Sequence, residues 1–274
     1  MTEHAIRRHG WPRSSSQGDR AAARARYWEL DLARTLAITM MVVYHVGYNV
    51  DFLSGTGKND ALGVGWRGLQ GATGSLFLFL VGISFTISDA AARRRGLDWA
   101  GRLRKHARRG AQVIGFGLIV SLATLVALGD GVVRFGILHA IGASLLLAPF
   151  AARLGVWNAP LGVAVIAAGL AIQRAGLDVP GLFPLVWEPS GRAGIDYYPL
   201  MPWFGVVLIG IAAGTLLYPN GRPGRWSAAI TTAPPRWLTA PGRHSLVIYL
   251  VHQPLLILAV AAVLAALGIE WRWP

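Results

Sequence analysis

The chain has 274 residues, of which 54% are hydrophobic and only 14% charged, with a mean hydropathy of +0.46. A soluble domain carries about a quarter charged residues, so one membrane-embedded domain fits this composition better than two soluble ones. The absence of cysteine excludes disulfides, thiolate catalysis and cysteine-ligated metal, and the formal charge of +13 falls in alternate loops, which argues for membrane topology and against nucleic acid as a partner.

Residues 1–26 are rich in Arg, Ala and Ser and hold no apolar core. They predict a disordered basic cytoplasmic tail rather than a cleaved leader, followed by one transmembrane domain over 27–274. Glu29 to Phe52 opens that domain as a long apolar run with charge at both ends, and between Leu32 and Val50 only Arg34 carries a fixed charge. At about 1.5 Å per residue the run is long enough to cross a bilayer. Asp31 and Arg34 are spaced i, i+3, and His45 follows Arg34 by 11 residues, so all three fall on one stripe of one helix. Ionisable groups inside hydrocarbon are costly and by default mark a functional path.

Further apolar runs predict spans near 69–89, 110–128, 132–151, 157–174, 200–218 and 244–267. With the first, near 30–52, they make an all-α integral membrane protein, a polytopic bundle of about seven transmembrane helices. Gly recurs through them, as in GVAVIAAGLA and GVVLIGIAAG, and small residues let membrane helices pack closely. Most of the basic residues precede helix 1 or lie between helices 2 and 3 and before the last helix, which places the N-terminus in the cytoplasm and the C-terminus outside. The cluster from Arg93 to Arg109 is accounted for by topology and contact with anionic lipid, with a nucleotide-phosphate role as the sharper alternative. The loop over 175–199 is rich in Pro, Gly and aromatics and predicts a cap folded back over the bundle. Trp66, Trp187, Trp203, Trp237, Trp271 and Trp273 suit an aromatic belt.

His45 and His139 are both set toward the outer ends of their helices, and a neutral imidazole there can act as a general base toward a hydroxyl or amine. A hydrogen bond gluing helices together is the competing account. Asp51 and Asp196 lie at the outer ends of helices 1 and 6, where a carboxylate orients a histidine, binds a cationic amine, or is simply solvated. Asp196 has the more specific context, DYYPLMPWFG. The last helix opens with GRHSLVIYLVHQP: Arg243 and His244 at its inner face, Ser245 as a capping candidate, then Tyr249, His252 and Gln253 one to two turns in. Pro254 frees a carbonyl there. Such a polar, kinked stretch either binds a ligand or pairs with Asp31 and Arg34. There is no Walker-type phosphate loop, HExxH zinc helix or GxSxG elbow.

The string WELDLARTLAITMMVVYHVGYNVDF resembles the first membrane helix of a bacterial family related to heparan-alpha-glucosaminide N-acetyltransferase, within the wider membrane acyltransferase group. SLFLFLVGISFTIS, RFGILHAIGASLLLAPF, DYYPLMPWFGVVLIGIAAG and GRHSLVIYLVHQPLLI continue the agreement in order, over roughly residues 26–258. Thr35 departs from the family's usual Gly, which touches only local packing of helix 1. The resemblance implies a multi-pass enzyme of the bacterial inner membrane that takes an acetyl group from cytosolic acetyl-CoA to an amino or hydroxyl acceptor on the far side, a sugar or cell-envelope glycan, without a metal. It also suggests a homodimer. The animal enzymes carry an asparagine near the position of His45 and place their reactive histidine just after helix 1. Here no histidine lies between residues 46 and 105, so that assignment does not carry over directly; the resemblance of this helix to the broader membrane acyltransferases, where the helix-1 histidine does that work, implies the role for His45.

The resulting expectation assigns catalysis to His45, Asp51, His139 and Asp196. It assigns the donor site to Asp31, Arg34, Arg243, His244, Ser245, Tyr249, His252 and Gln253, with acyl-CoA, an acceptor and membrane lipid as partners. A transporter without chemistry is the rival reading, and a structural subunit a third.

Overall fold

A computed structural model describes residues 27–54, 63–177, 181–187, 195–226 and 234–270, apart from the side chain of Asp130. The expected basic tail over 1–26, with Lys58, Arg192, Trp271, Arg272 and Trp273, lies outside the described residues. The described residues are helical without strands: α1 (Trp28–Ser54), α2 (Gly63–Arg94), α3 (Trp99–Leu128), α4 (Ile137–Ala151), α5 (Asn158–Arg174), α6 (Leu200–Leu217), the short α7 (Arg236–Arg243) and α8 (Ser245–Ala266). Six stretches among them are long and apolar enough to cross a membrane. The protein is an all-α polytopic membrane protein.

One of those stretches, Ile137–Arg174, is 38 residues long and contains both α4 and α5. Read as one straight helix it would measure about 57 Å, nearly twice the hydrocarbon thickness of a bilayer. Gly155 breaks it, with φ 53° and ψ −122°, a conformation that suits a residue without Cβ. The Asn158 side chain closes the break by donating to the Ala151 and Gly155 carbonyls, 2.9 Å each, so oxygens that lose helical partners at the turn are satisfied. Gly155 lies beside Thr215 at the end of α6, whereas Gly169 meets Met201 and Pro202 at its start. Therefore α5 runs antiparallel to α6. α4 begins where Tyr198 N donates to Phe135 O, beside the start of α6, and runs along with it.

Small residues set the packing distances. A Cβ on Gly162 of α5 would stand 2.5 Å from the Gly205 carbonyl oxygen of α6, and the reciprocal approach is the same. Gly82 of α2 is closed against the Val207–Ile211 backbone of α6 and Gly210 of α6 against the Phe79 backbone of α2, while Gly110 of α3 and Gly142 of α4 are closed against each other. Around these contacts Leu78, Phe85, Leu138, Val207, Leu208 and Ile211 form the main buried cluster. The outer faces of α3 and α8 remain apolar and exposed, as at Leu122, Val126, Leu255 and Leu258, which suits contact with lipid tails.

Charge gathers at one end of the bundle. There α3 is N-capped by Asp98, whose carboxylate accepts from Gly101 N, and the basic residues of the α2–α3 connection follow. α7 packs against the start of α1: Gly242 N donates to Thr35 Oγ1 at 3.0 Å, and Gly242 lies so close to the Asp31 carbonyl that no side chain fits. At the other end the described part of the 175–199 loop doubles back on itself and onto the start of α6. The Tyr197 hydroxyl is shared between the Phe183 and Val186 carbonyls, while Leu200 N and Met201 N donate to Pro184 O and Leu185 O.

Candidate active site

The α1 stripe is divided between two cavities. The first, about 470 Å³, opens at the basic end and is lined by Arg34, Ser84, Ser88, Lys105, His106 and Arg109 over apolar walls from α2, α3 and α4. Asp31, almost completely buried, organises its edge. Arg34 Nη1 donates to Asp31 Oδ1 at 2.9 Å, and Arg34 Nη2 donates to Ser84 Oγ at 2.6 Å. Arg243 Nε comes within 3.5 Å of Asp31 Oδ2, and Arg243 Nη2 donates to Thr239. Lys105 Nζ is fixed on α2 by the Ser88 carbonyl and hydroxyl, at 2.6 and 2.8 Å. Beneath it a second buried carboxylate, Asp89, binds Arg102 at 2.8 Å, with Arg93 and His106 at 3.5 and 3.3 Å. Two buried carboxylates thus position the surrounding cations, leaving Arg34, Lys105 and Arg109 to face the cavity.

The second cavity, about 530 Å³, lies at the opposite end of the stripe and holds His45, His252, Asp196, Tyr249, Asn49 and Gln253. His45 Nδ1 is 2.8 Å from Met41 O, and His252 Nδ1 is 2.6 Å from Tyr249 O. A carbonyl only accepts, so both neutral rings carry their proton on Nδ1. His252 Nε2 then presents its lone pair to His45 Nδ1 at 3.4 Å, and His45 Nε2 retains a basic lone pair. Behind the pair, Gln253 and Asn49 exchange amide contacts, with Gln253 Nε2 donating to Asn49 Oδ1 at 2.9 Å. Tyr44, Tyr48 and Phe52 stack along α1 at successive i+4 steps and form an aromatic wall. Asp196 Oδ2 accepts from Ile137 N at 3.2 Å and from the Tyr249 hydroxyl at 3.4 Å. Enclosure by protein pushes the Asp196 carboxyl up to about 6, and those two donors oppose the rise. Asp196 is also among the residues that line this cavity.

The sequence matches, over residues 26–254, the family described as heparan-alpha-glucosaminide N-acetyltransferase, catalytic. The chain belongs to that family. Membership makes it a membrane transferase of the acetyltransferase type. Neither a curated protein nor a solved structure matches it.

Within this heparan-alpha-glucosaminide N-acetyltransferase-like chain the expected site residues separate into groups. Asp31, Arg34 and Arg243 meet at the basic end, and Ser245 lines the basic cavity. Ser245 is the first residue of α8 rather than its cap: the N-cap position is His244, which is exposed and makes no side-chain capping bond. Tyr249 reaches both cavities. His252 and Gln253, expected beside the donor, line the other cavity and contact His45 and Asn49 instead of Asp31 and Arg34. His139 does not join His45. It turns toward its own helix start, where Nδ1 accepts from Gly136 N at 3.2 Å and the ring stacks on Phe135. Asp51 is buried near the end of α1 and does not line the cavity.

Asn49, Ser84 and the Asp89–His106 pair were not singled out by sequence. Asn49 carried a usable signal, since it lies four residues after His45 on the same helix face. Lys105 and Arg109 share the same spacing and belong to the basic cluster for which a nucleotide-phosphate role was the sharper alternative; both line the basic cavity. Among the described residues no group of three His, Asp or Glu side chains has the arrangement of a metal site.

Proposed function

We propose that the chain transfers an acyl group, most simply acetyl, from acyl-CoA at the basic end to an amino or hydroxyl acceptor at the histidine end. The single observation that carries this reading is the pair of cavities along α1, one edged by cations and the other holding a neutral histidine pair. Guanidinium and ammonium groups suit phosphate, so Arg34, Lys105 and Arg109 receive the CoA phosphates, and the apolar walls receive the pantetheine arm. Asp31 holds Arg34 and Arg243 in place.

The thioester is already activated, so the chemistry is proton management. His45 Nε2 takes the proton of the acceptor N–H or O–H as that atom attacks the thioester carbonyl. His252 Nε2 accepts from His45 Nδ1–H and stabilises the imidazolium. The tetrahedral adduct then expels the CoA sulfur, which leaves as thiol with the proton from His45. Amino sugars, cell-envelope glycans and small amines or alcohols are the acceptor classes in view. By the positive-inside rule the basic end faces the cytoplasm of a bacterial inner membrane.

Acetyl-CoA binding to the detergent-purified protein tests this. A ligand at a hundred times its Kd stabilises by about 2.7 kcal/mol, so wild type and His45→Ala are expected to melt higher with acetyl-CoA, and Arg34→Ala to lose most of that shift. No shift in any of the three would reject the donor assignment and favour the transporter reading.

A further inference from the structure

The two cavities share three lining residues, Phe77 of α2, Ile137 of α4 and Tyr249 of α8. These side chains form a wall between the cation-edged space and the histidine pair. The wall is held from behind by one group. Asp196 Oδ2 accepts both from Ile137 N and from the Tyr249 hydroxyl, so a single carboxyl pins two of its three members. Ile137 opens α4, where the backbone N–H has no intrahelical partner, and Asp196 supplies one. Asp196 has little freedom to swing away: a Cβ on Gly136 would strike it, Tyr197 beside it is anchored on Phe183 and Val186, and Tyr198 N is bonded to Phe135 O. Phe77 packs against the main buried cluster.

We infer that the Phe77–Ile137–Tyr249 wall, fixed by Asp196, limits the length of the acyl group the chain accepts. This rests on the acyl-CoA reading above. A thioester carbonyl that reaches His45 from the basic cavity stands at this wall, and whatever lies beyond the carbonyl must fit there or enter the space the acceptor needs. An acetyl group adds one methyl. An octanoyl chain adds seven carbons, which would have to pass three bulky side chains from three helices and occupy the space the acceptor needs. Selection by pocket shape then disfavours the long donor, as shape does wherever a cavity measures methylenes.

The test is thermal stabilisation of the full chain by CoA, acetyl-CoA, butyryl-CoA and octanoyl-CoA, titrated to apparent Kd, for wild type, Phe77→Ala and Tyr249→Phe. Wild type is expected to bind acetyl-CoA at least tenfold more tightly than octanoyl-CoA. Phe77→Ala is expected to reduce that ratio at least fivefold, read within the same variant. Tyr249→Phe keeps the ring and loses only the bond to Asp196, so it is expected to reduce the ratio about threefold; it also carries the test if Phe77→Ala does not fold. Equal binding of all chain lengths by wild type, or an unchanged ratio in the folded variants, overturns the inference and leaves the donor assignment standing. Failure of wild type to bind CoA or acetyl-CoA removes the donor assignment and the inference with it.

Discussion

At the residue scale, the decisive atom is His45 Nε2. Its neighbour Nδ1 is committed to Met41 O and His252, which fixes the tautomer and leaves the other nitrogen with the lone pair that the proposed base needs. General-base contributions are about 10²- to 10⁴-fold, so His45→Ala is expected to lower acetyl transfer by that much while leaving acetyl-CoA stabilisation intact, read as initial rate against melting shift. Asp196 gives a second, independent prediction. Its folded-state carboxyl is raised from the usual 3.8 to about 6, so the folded chain holds that proton more tightly than the unfolded one. The stability it contributes is full below about pH 3.8 and is lost as pH rises through about 6. Wild type is therefore expected to lose stability relative to Asp196→Asn between pH 4 and 6.5, measured as the difference in Tm. A flat difference across that range would contradict the assignment. Asp31 belongs here as well, because it is buried between two guanidiniums. Its replacement by Ala leaves both cations without their carboxylate, and loss of a buried partner costs about 3 kcal/mol; denaturation in detergent would register it.

At the element scale, glycines decide how helices meet. Gly210 of α6 faces the Phe79 carbonyl of α2 with no room for a Cβ, and Gly162 and Gly205 bring α5 and α6 nearly as close. Overpacking costs typically 1–3 kcal/mol, so Gly210→Val is expected to destabilise by at least about 2 kcal/mol, whereas Gly115→Val, with open space around it, is expected to be near neutral. The helices were legible in the sequence because apolar length is a one-dimensional property. Close packing was legible only in kind: glycine recurrence announces it, but which glycines face each other depends on helix rotation. The turn at Gly155 was placed by the gap between two apolar runs, and its mechanism, an asparagine closing on two carbonyls, became visible only in three dimensions.

Partner choice across helices set the limit for the site too. Spacing within α1 grouped Asp31, Arg34 and His45 correctly, since residues on one helix share a known geometry. Spacing in the GRHSLVIYLVHQP stretch grouped His244, Tyr249 and His252, but whether that face meets the start or the middle of α1 is a tertiary fact. Arg243 went to Asp31, and His252 to His45. His139 looked like a second base from its depth alone. Its ring instead accepts a helix-start N–H, a use that a buried His next to a glycine-led helix start serves without any catalytic role.

At the scale of the whole molecule, the bundle carries an electrostatic gradient. Cations tethered by Asp31 and Asp89 occupy one end, and neutral imidazoles with a carboxyl of raised proton affinity occupy the other. A phosphate-bearing donor fits the first end and an acceptor awaiting deprotonation fits the second, with the bilayer between. The measurement that tests this most directly is acetyl transfer to glucosamine in proteoliposomes of known orientation, with acetyl-CoA confined to one side and the sugar to the other. Transfer is expected only when acetyl-CoA is on the side of the basic end and glucosamine on the histidine side, and it should collapse in His45→Ala. Transfer with both substrates confined to one side, or at full rate in His45→Ala, would contradict it.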